Sequence, residues 1–333
     1  MTKIAINGFG RIGRLAFRKL FEEKNVEIVA INDLTDAKTL ATLLELDSAQ
    51  GGWMRGKISS EENAIIVNGK KVIVCAEKDP TALPWGKLGV DVVVESTGRF
   101  ADKAGSSQHI TAGAKKVLIS APAAKGTDVK TIVYNVNHKD ITKDDTVISG
   151  ASCTTNCLAP MAQVLYKKFG IEKGYMTTVH AVTNDQRLLD LAHDDLRRAR
   201  AAFSNIVPTK TGAALAVALV LPQLKGKFDG MALRVPTITG SIVDLAVELK
   251  KTTTVDEINN AMKAAASETF GYNTQPIVSS DIIGESHGSI FDATLTKIIE
   301  VDGKQLVKVY AWYDNEMSYV SQMVRTLLYF ATV

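Results

Sequence analysis

The chain has 333 residues, 46% hydrophobic and 23% charged, with 39 Lys and Arg against 36 Asp and Glu. These proportions exclude a disordered or collagen-like chain, and the length is that of about two domains. A net charge of +3 is too small for the field of a dedicated nucleic-acid or membrane-surface binder. The apolar runs, Ala213–Leu221 among the longest, fall well short of the roughly 20 residues that cross a bilayer. Met1-Thr2-Lys3-Ile4 enters a strand-like run at once, without the basic and apolar segments of a secretory leader, so a cytoplasmic location is expected. The three cysteines, Cys75, Cys153 and Cys157, match neither a disulfide framework nor a paired CxxC zinc pattern, and no metal site is expected.

From Lys3 to Ser120 short β-branched runs alternate with helical stretches: a strand at Ile4–Asn7, a helix at Gly13–Lys24, then strands at Glu27–Ile31, Val90–Glu95 and Lys116–Ile119. That alternation predicts a parallel sheet of βαβ units. Ile65-Ile66-Val67 and Val72-Ile73-Val74 flank Asn68-Gly69-Lys70, a hairpin signal set into the parallel pattern. After about residue 150 the strands lengthen, at Tyr175–Ala181, Met231–Pro236, Ser241–Leu249, Ser289–Thr296 and Leu306–Tyr313. Asp302-Gly303 marks a second hairpin, from Lys297–Glu300 into the last of these. Helices at Thr154–Phe169, Gly212–Val220, Val255–Ser267 and Asn315–Phe330 complete an α+β domain. Thr183 to Thr211 is polar, rich in arginine and aperiodic, too long for an ordinary connector. The expected organisation is a dinucleotide-binding domain at 1–150, a catalytic domain with a mostly antiparallel sheet at 151–315, and a C-terminal helix at 316–333 returning to the first.

Gly8-Phe9-Gly10-Arg11-Ile12-Gly13 follows the first strand and opens an apolar-periodic helix, the context a dinucleotide fingerprint requires. The glycines allow a tight turn and close approach of backbone to a pyrophosphate, while the helix N-terminus supplies N–H groups and positive potential. Asp33, twenty residues after Gly13, ends the second strand where a carboxylate accepts from ribose hydroxyls and repels a 2′-phosphate. Together these point to NAD.

Ser149–Cys157 runs from a β-branched strand into a helix beginning near Cys153, so that thiol sits at the positive end of the helix dipole. A lowered pKa and a nucleophilic role are expected for it. Cys157, one turn further in, is expected to pack as a small apolar residue. The candidate base is His180, in the strand Met176–His180, although a strand histidine serves equally often as a structural one. His109 and His193 lie in polar surroundings and read as solvated; His138 and His287 carry no signal.

With these motifs the chain resembles the glyceraldehyde-3-phosphate dehydrogenase family over essentially its whole length. The resemblance rests on Ala5–Arg14, Ala151–Asn156 and Trp312–Glu316, with smaller blocks at Lys116–Pro122, Thr211–Ala214 and Arg234–Thr237. It implies a homotetramer that oxidises D-glyceraldehyde 3-phosphate with NAD and inorganic phosphate to 1,3-bisphosphoglycerate, through a thiohemiacetal and a thioester on Cys153 with His180 taking the proton. It implies Thr183 and Arg234 at the substrate phosphate, and Ser152, Thr154, Arg198, Thr211 and Gly212 at the inorganic phosphate. On the cofactor side it implies Arg11 and Ile12 at the pyrophosphate through their amides, Asn315 at the nicotinamide carboxamide, and Lys78, Thr97, Phe100 and Ser120 along the groove. Leu191-Ala192 replaces the Leu-Pro of NAD-specific relatives, which leaves use of NADP open. An erythrose-4-phosphate dehydrogenase on the same scaffold, or a primary adhesin or RNA-binding role, are the competing readings.

Overall fold

The computed structural model describes residues 1–333, which divide into two compact units: Met1–Ile132, His138–Ala151 and Met323–Val333 form the first, Val133–Asn137 and Ser152–Gln322 the second. No helix is long and apolar enough to cross a membrane.

In the first unit β1 (Thr2–Asn7), α1 (Arg11–Phe21), β2 (Val26–Asn32) and α2 (Ala37–Glu45) open a βαβα run. There follow β3 (Ile58–Glu61), β4 (Ala64–Val67), β5 (Lys70–Cys75), α3 (Trp85–Leu88), β6 (Val92–Glu95), α4 (Lys103–Thr111), β7 (Lys116–Ile119), β8 (Lys130–Thr131) and β9 (Val147–Ser149). Their sheet has the order β3-β4-β5-β2-β1-β6-β7-β9-β8. It is parallel from β5 to β8, with β3 and β4 antiparallel at one edge. The β4–β5 turn uses Asn68 and Gly69, both at positive φ (48° and 79°), as a two-residue hairpin of this hand requires. Strand order reverses between β1 and β6, so their carboxyl ends define the crevice where such sheets hold ligands. Ala5, Ala30, Trp85, Val93 and Val117 belong to one buried apolar cluster of this unit.

The second unit comprises α5 (Cys153–Phe169), β10 (Ile171–Ala181), β11 (Val207–Lys210), α6 (Ala213–Val220), β12 (Phe228–Val235), β13 (Ser241–Leu249), α7 (Val255–Ala264), β14 (Phe270–Asn273), β15 (Ser289–Asp292), β16 (Lys297–Val301) and β17 (Lys304–Tyr313). The sheet order β11-β12-β10-β13-β17-β15-β14, with β16 on β17, is mostly antiparallel; β10–β12 and β14–β15 are the parallel pairs. The β16–β17 turn places Asp302 and Gly303 at φ 51° and 71°. Carboxylates move two element boundaries away from where the patterns predict them. β15 stops at Asp292, whose carboxylate accepts from the Thr294 N–H and turns the chain into a short 3-10 segment. The last helix, α8 (Met317–Thr332), starts two residues late because the Asp314 carboxylate accepts from the N–H groups of Glu316 and Met317. From Met323 onward α8 belongs to the first unit, where Lys116 donates to the Phe330 carbonyl at 2.8 Å with its ammonium 4.7 Å from the Phe330 ring centroid.

Candidate active site

At the end of β1 the chain turns on Gly8, at φ 90°. A Cβ there would stand 2.7 Å from the Thr97 nitrogen, and one at Gly13 would stand 2.1 Å from the Gly8 carbonyl oxygen, so neither position admits a side chain. Gly10 differs: its φ is an ordinary −72° and a Cβ would meet nothing within 4 Å. No neighbour in the chain demands glycine there, whereas a ligand lying on the loop does, and Gly10 caps α1 with no side-chain bond to its first-turn N–H groups. The loop therefore fits a pyrophosphate. The side chain of Arg11 pairs with Asp47 at 2.5 Å, and Ile12 is half-buried beside it. Asp33 faces the loop, accepting the Phe9 N–H at 2.8 Å on one oxygen and the Thr35 N–H at 3.0 Å on the other.

Thr97 donates from both its N–H and its hydroxyl to Glu95. Ser120, just past β7, donates its N–H to the Glu95 carbonyl at 2.9 Å. Phe100 is half-buried, edge-on to His109 at 6.4 Å between centroids. Lys78 is exposed. The structure overturns the solvated reading of His109. It is 0% exposed, bonded to Glu95 at 3.0 Å and to the Trp85 indole N–H at 3.0 Å. The helix that carries it has no continuous apolar face, so nothing in its periodicity announces burial; the partners lie on β6 and α3.

In the second unit, Cys153 is the first residue of α5. The preceding turn is strained, with Ala151 at φ 60°, in the left-handed region a non-glycine residue rarely adopts. Ser152 is the N-cap, accepting the Thr155 N–H at 3.0 Å. The Cys153 thiol lies 3.5 Å from His180 Nε2. His180 Nδ1 lies 2.7 Å from the Ala181 carbonyl oxygen. Arg234 Nη1 also approaches Nδ1, at 3.1 Å, but the carbonyl is nearer and only accepts, so Nδ1 carries the proton and Nε2 turns its lone pair to sulfur. The expected lowering of the thiol pKa is not found. Although the residue keeps some contact with solvent, the protein around its sulfur desolvates the thiolate and pushes the pKa up, against a smaller downward pull from Arg234. Burial likewise depresses His180, with Arg234 adding to the effect, to about 3. At both groups burial disfavours the charged form.

Arg234, on β12, donates from Nη1 to the Ala181 carbonyl and to Thr183 Oγ1, both at 3.2 Å, and its buried Nε has no partner. A guanidinium with an idle buried donor beside a hydroxyl is a fitting anion site. Arg198 is engaged elsewhere, with Asp185 at 2.5 Å, Thr209 Oγ1 at 2.9 Å and the Lys210 carbonyl at 3.3 Å. Thr211 accepts the Ala213 N–H at 3.2 Å, and Gly212, at the N-terminus of α6, is exposed. The Thr154 hydroxyl points inward, 2.9 Å from the Tyr313 hydroxyl. Asn315 accepts on Oδ1 from Gly240 N–H, Ser241 Oγ and Thr239 Oγ1 at 3.0–3.3 Å. That fixes its amide and leaves Nδ2 as the donor for a ligand.

Sequence reasoning missed Tyr313. Its hydroxyl bridges Thr154 and Thr178 at 2.9 and 2.8 Å and its ring stands edge-on to His180 at 6.0 Å, while strand alternation marks it only as core. It also missed Tyr319, buried with no partner for its hydroxyl. Cys157 is fully buried against Ser289 and Ala311, and desolvation pushes its thiol pKa far up, as an inert core residue requires.

A dinucleotide-binding unit and a thiol–imidazole pair on one chain are the parts of a dehydrogenase that works through a covalent acyl-enzyme. Two family models match it: "Glyceraldehyde 3-phosphate dehydrogenase, NAD binding domain" over residues 2–103 and "Glyceraldehyde 3-phosphate dehydrogenase, C-terminal domain" over residues 152–315. The chain is 63% identical to the glyceraldehyde-3-phosphate dehydrogenases of Clostridium pasteurianum and Clostridium acetobutylicum, over all of this chain and 99% of each relative. It is 57% identical to that of Streptococcus pyogenes with the same coverage. The chain belongs to the glyceraldehyde-3-phosphate dehydrogenase family.

Proposed function

We propose that the chain catalyses the phosphorylating oxidation of D-glyceraldehyde 3-phosphate to 1,3-bisphosphoglycerate, the NAD-dependent step of glycolysis. The carrying observation is the Cys153 thiol 3.5 Å from a His180 nitrogen whose lone pair faces it. As Sγ attacks the aldehyde carbon, the thiol proton passes to Nε2 and on to the aldehyde oxygen, giving a thiohemiacetal. Bound NAD supplies the hydride acceptor. Nε2 then takes the hydroxyl proton as hydride leaves the same carbon, and a thioester remains on Cys153. A phosphate oxygen attacks that carbonyl, the thiolate leaves, and the imidazolium returns the proton to sulfur. Desolvation, which raises the thiol pKa, also leaves the transient thiolate strongly nucleophilic.

Thr183 and Arg234 hold the substrate phosphate in this reading, and Ser152, Thr154, Arg198, Thr211 and Gly212 the attacking one. Gly8 to Gly13, Asp33, Lys78, Thr97, Phe100, Ser120 and Asn315 hold the cofactor, with residues 1–150 as its domain and 151–315 as the catalytic one. Leu188, Leu189, Leu191, Leu196 and Ile206 are each at least 66% exposed. So much apolar surface in one segment supports a homo-oligomer, read as a tetramer. Three free thiols, one of them a nucleophile that must stay reduced, support a cytoplasmic location. The test is NADH production from D-glyceraldehyde 3-phosphate with and without inorganic phosphate. Phosphate-dependent turnover is expected; phosphate-independent oxidation of erythrose 4-phosphate in its place overturns the assignment.

A further inference from the structure

The carboxyl ends of β1 and β6 meet at the crevice of the first unit, where Asn7 and Glu95 are paired in register. Glu95 is 2% exposed, and donors alone hold it. One oxygen accepts the Thr97 N–H at 2.8 Å and the Thr97 hydroxyl; the other accepts Asn7 Nδ2 at 2.6 Å and His109 Nε2 at 3.0 Å. The His109 and Asn7 donors have their orientation fixed from behind. The Trp85 indole only donates, so His109 Nδ1 must accept and the ring proton must sit on Nε2. The Asn7 amide cannot flip, because its Oδ1 accepts Asn32 Nδ2 at 2.7 Å. Asn32 in turn is locked by the Glu77 N–H and carbonyl, each at 2.9 Å. Against this frame rests the cofactor loop: Gly8 packs on the backbone of Ser96 and Thr97, and Ser96 Oγ donates to the Gly8 carbonyl at 2.6 Å.

We propose that Glu95 is a positioning residue for the cofactor, its carboxylate fixing the Gly8 turn and the Thr97 segment through a frame whose polarity Trp85 and His109 set. The proposal rests on NAD lying on this glycine loop. It requires a group that accepts at all four positions. In Glu95→Gln, the new amide keeps an oxygen for Thr97 but turns two N–H donors toward Asn7 and His109, which also donate. His109 cannot relieve the conflict by changing tautomer, since Nδ1–H would then face the Trp85 N–H. Trp85→Phe removes that obstacle: with the ring proton on Nδ1, Nε2 accepts from the substituted amide and from Asn7 Nδ2, which already lies 3.3 Å from it and is drawn off the new donor.

The experiment is calorimetric titration of the full-length protein with NAD, in wild type, E95Q, W85F and E95Q/W85F. E95Q is expected to raise the dissociation constant about tenfold, W85F alone by less than about threefold, and the double variant to return to within about threefold of wild type. A merely structural role predicts the opposite sign, because losing a buried indole destabilises on its own and the defects would add. The proposal is overturned if E95Q binds NAD as wild type does, or if W85F leaves its defect unchanged or deepens it. Should E95Q fail to fold, E95Q/W85F is still expected to fold and bind, and its failure also overturns the proposal. Gly10→Val separates the two readings. If it too leaves affinity intact, the cofactor does not lie on this loop; if it abolishes binding while E95Q does not weaken it, only the role of Glu95 is lost.

Discussion

Two histidines, one in each unit, are both buried and have both ring nitrogens engaged, yet only one can act as a base. His109 accepts an indole proton on Nδ1 and gives its own proton to a carboxylate from Nε2. His180 gives its proton from Nδ1 to a backbone carbonyl and turns Nε2, unprotonated, to a thiol. The partner behind the ring decides the chemistry in front of it. A donor behind His109 makes it a fixed strut; an acceptor behind His180 makes it a proton carrier.

Removing what the His180 lone pair faces is the harshest break in the comparison. Cys153→Ser should lower dehydrogenase turnover at least about 10⁴-fold while NAD still binds, because a hydroxyl is a far weaker nucleophile and forms a stable ester. Retained turnover in a steady-state assay would sink the covalent route. His180→Asn comes next, since its amide nitrogen can still reach the Ala181 carbonyl but nothing replaces Nε2. Acylation of Cys153 should slow about 10²- to 10⁴-fold in a single-turnover burst, with the fold intact by circular dichroism.

The pH response sharpens the contrast. His180 takes up its proton near 6.5 when the chain is unfolded and near 3 when folded, so the unfolded chain binds more protons between those values. Stability from this group is present above 6.5 and falls as pH drops toward 3; unfolding midpoints of His180→Asn should fall less steeply over that window. Asp33→Gly is expected to raise the preference for NADP over NAD by about tenfold, through loss of both the ribose acceptor and the repulsion of a 2′-phosphate. An unchanged ratio of kcat/KM values would remove Asp33 from cofactor selection. The smallest effect is expected from Lys116→Met, which loses one charged hydrogen bond and one cation–π contact with Phe330. A loss of about 1–2 kcal/mol in denaturant unfolding should follow.

The fingerprint Gly8 to Gly13, the Asn68-Gly69 and Asp302-Gly303 hairpins, and Cys153 at a helix start were legible because each is a local pattern with a local cause. His109 was misread because the helix Lys103–Thr111 has no apolar face, and its buried side takes meaning only from Trp85 and Glu95. The Cys153 pKa was misjudged for a related reason: the helix start shows in the sequence, whereas the burial that raises the pKa comes from tertiary packing around the sulfur. Tyr313 and Thr178 were missed because alternating burial along a strand says which side chains face inward and nothing of hydrogen bonds between hydroxyls there. Strand ends at Asp292 and helix starts at Met317 were displaced by carboxylates capping backbone, a competition apolar periodicity does not register.

The last eleven residues, Met323–Val333, complete the unit that the first residues begin. During synthesis on a ribosome that unit therefore cannot close when its sheet emerges. It waits while all of residues 152–322 are translated, roughly ten to thirty seconds at ordinary elongation rates. Through that interval Phe330 and its neighbours are missing from the apolar surface they later cover, so a chain cut short before Met323 carries an unfinished cofactor-binding half.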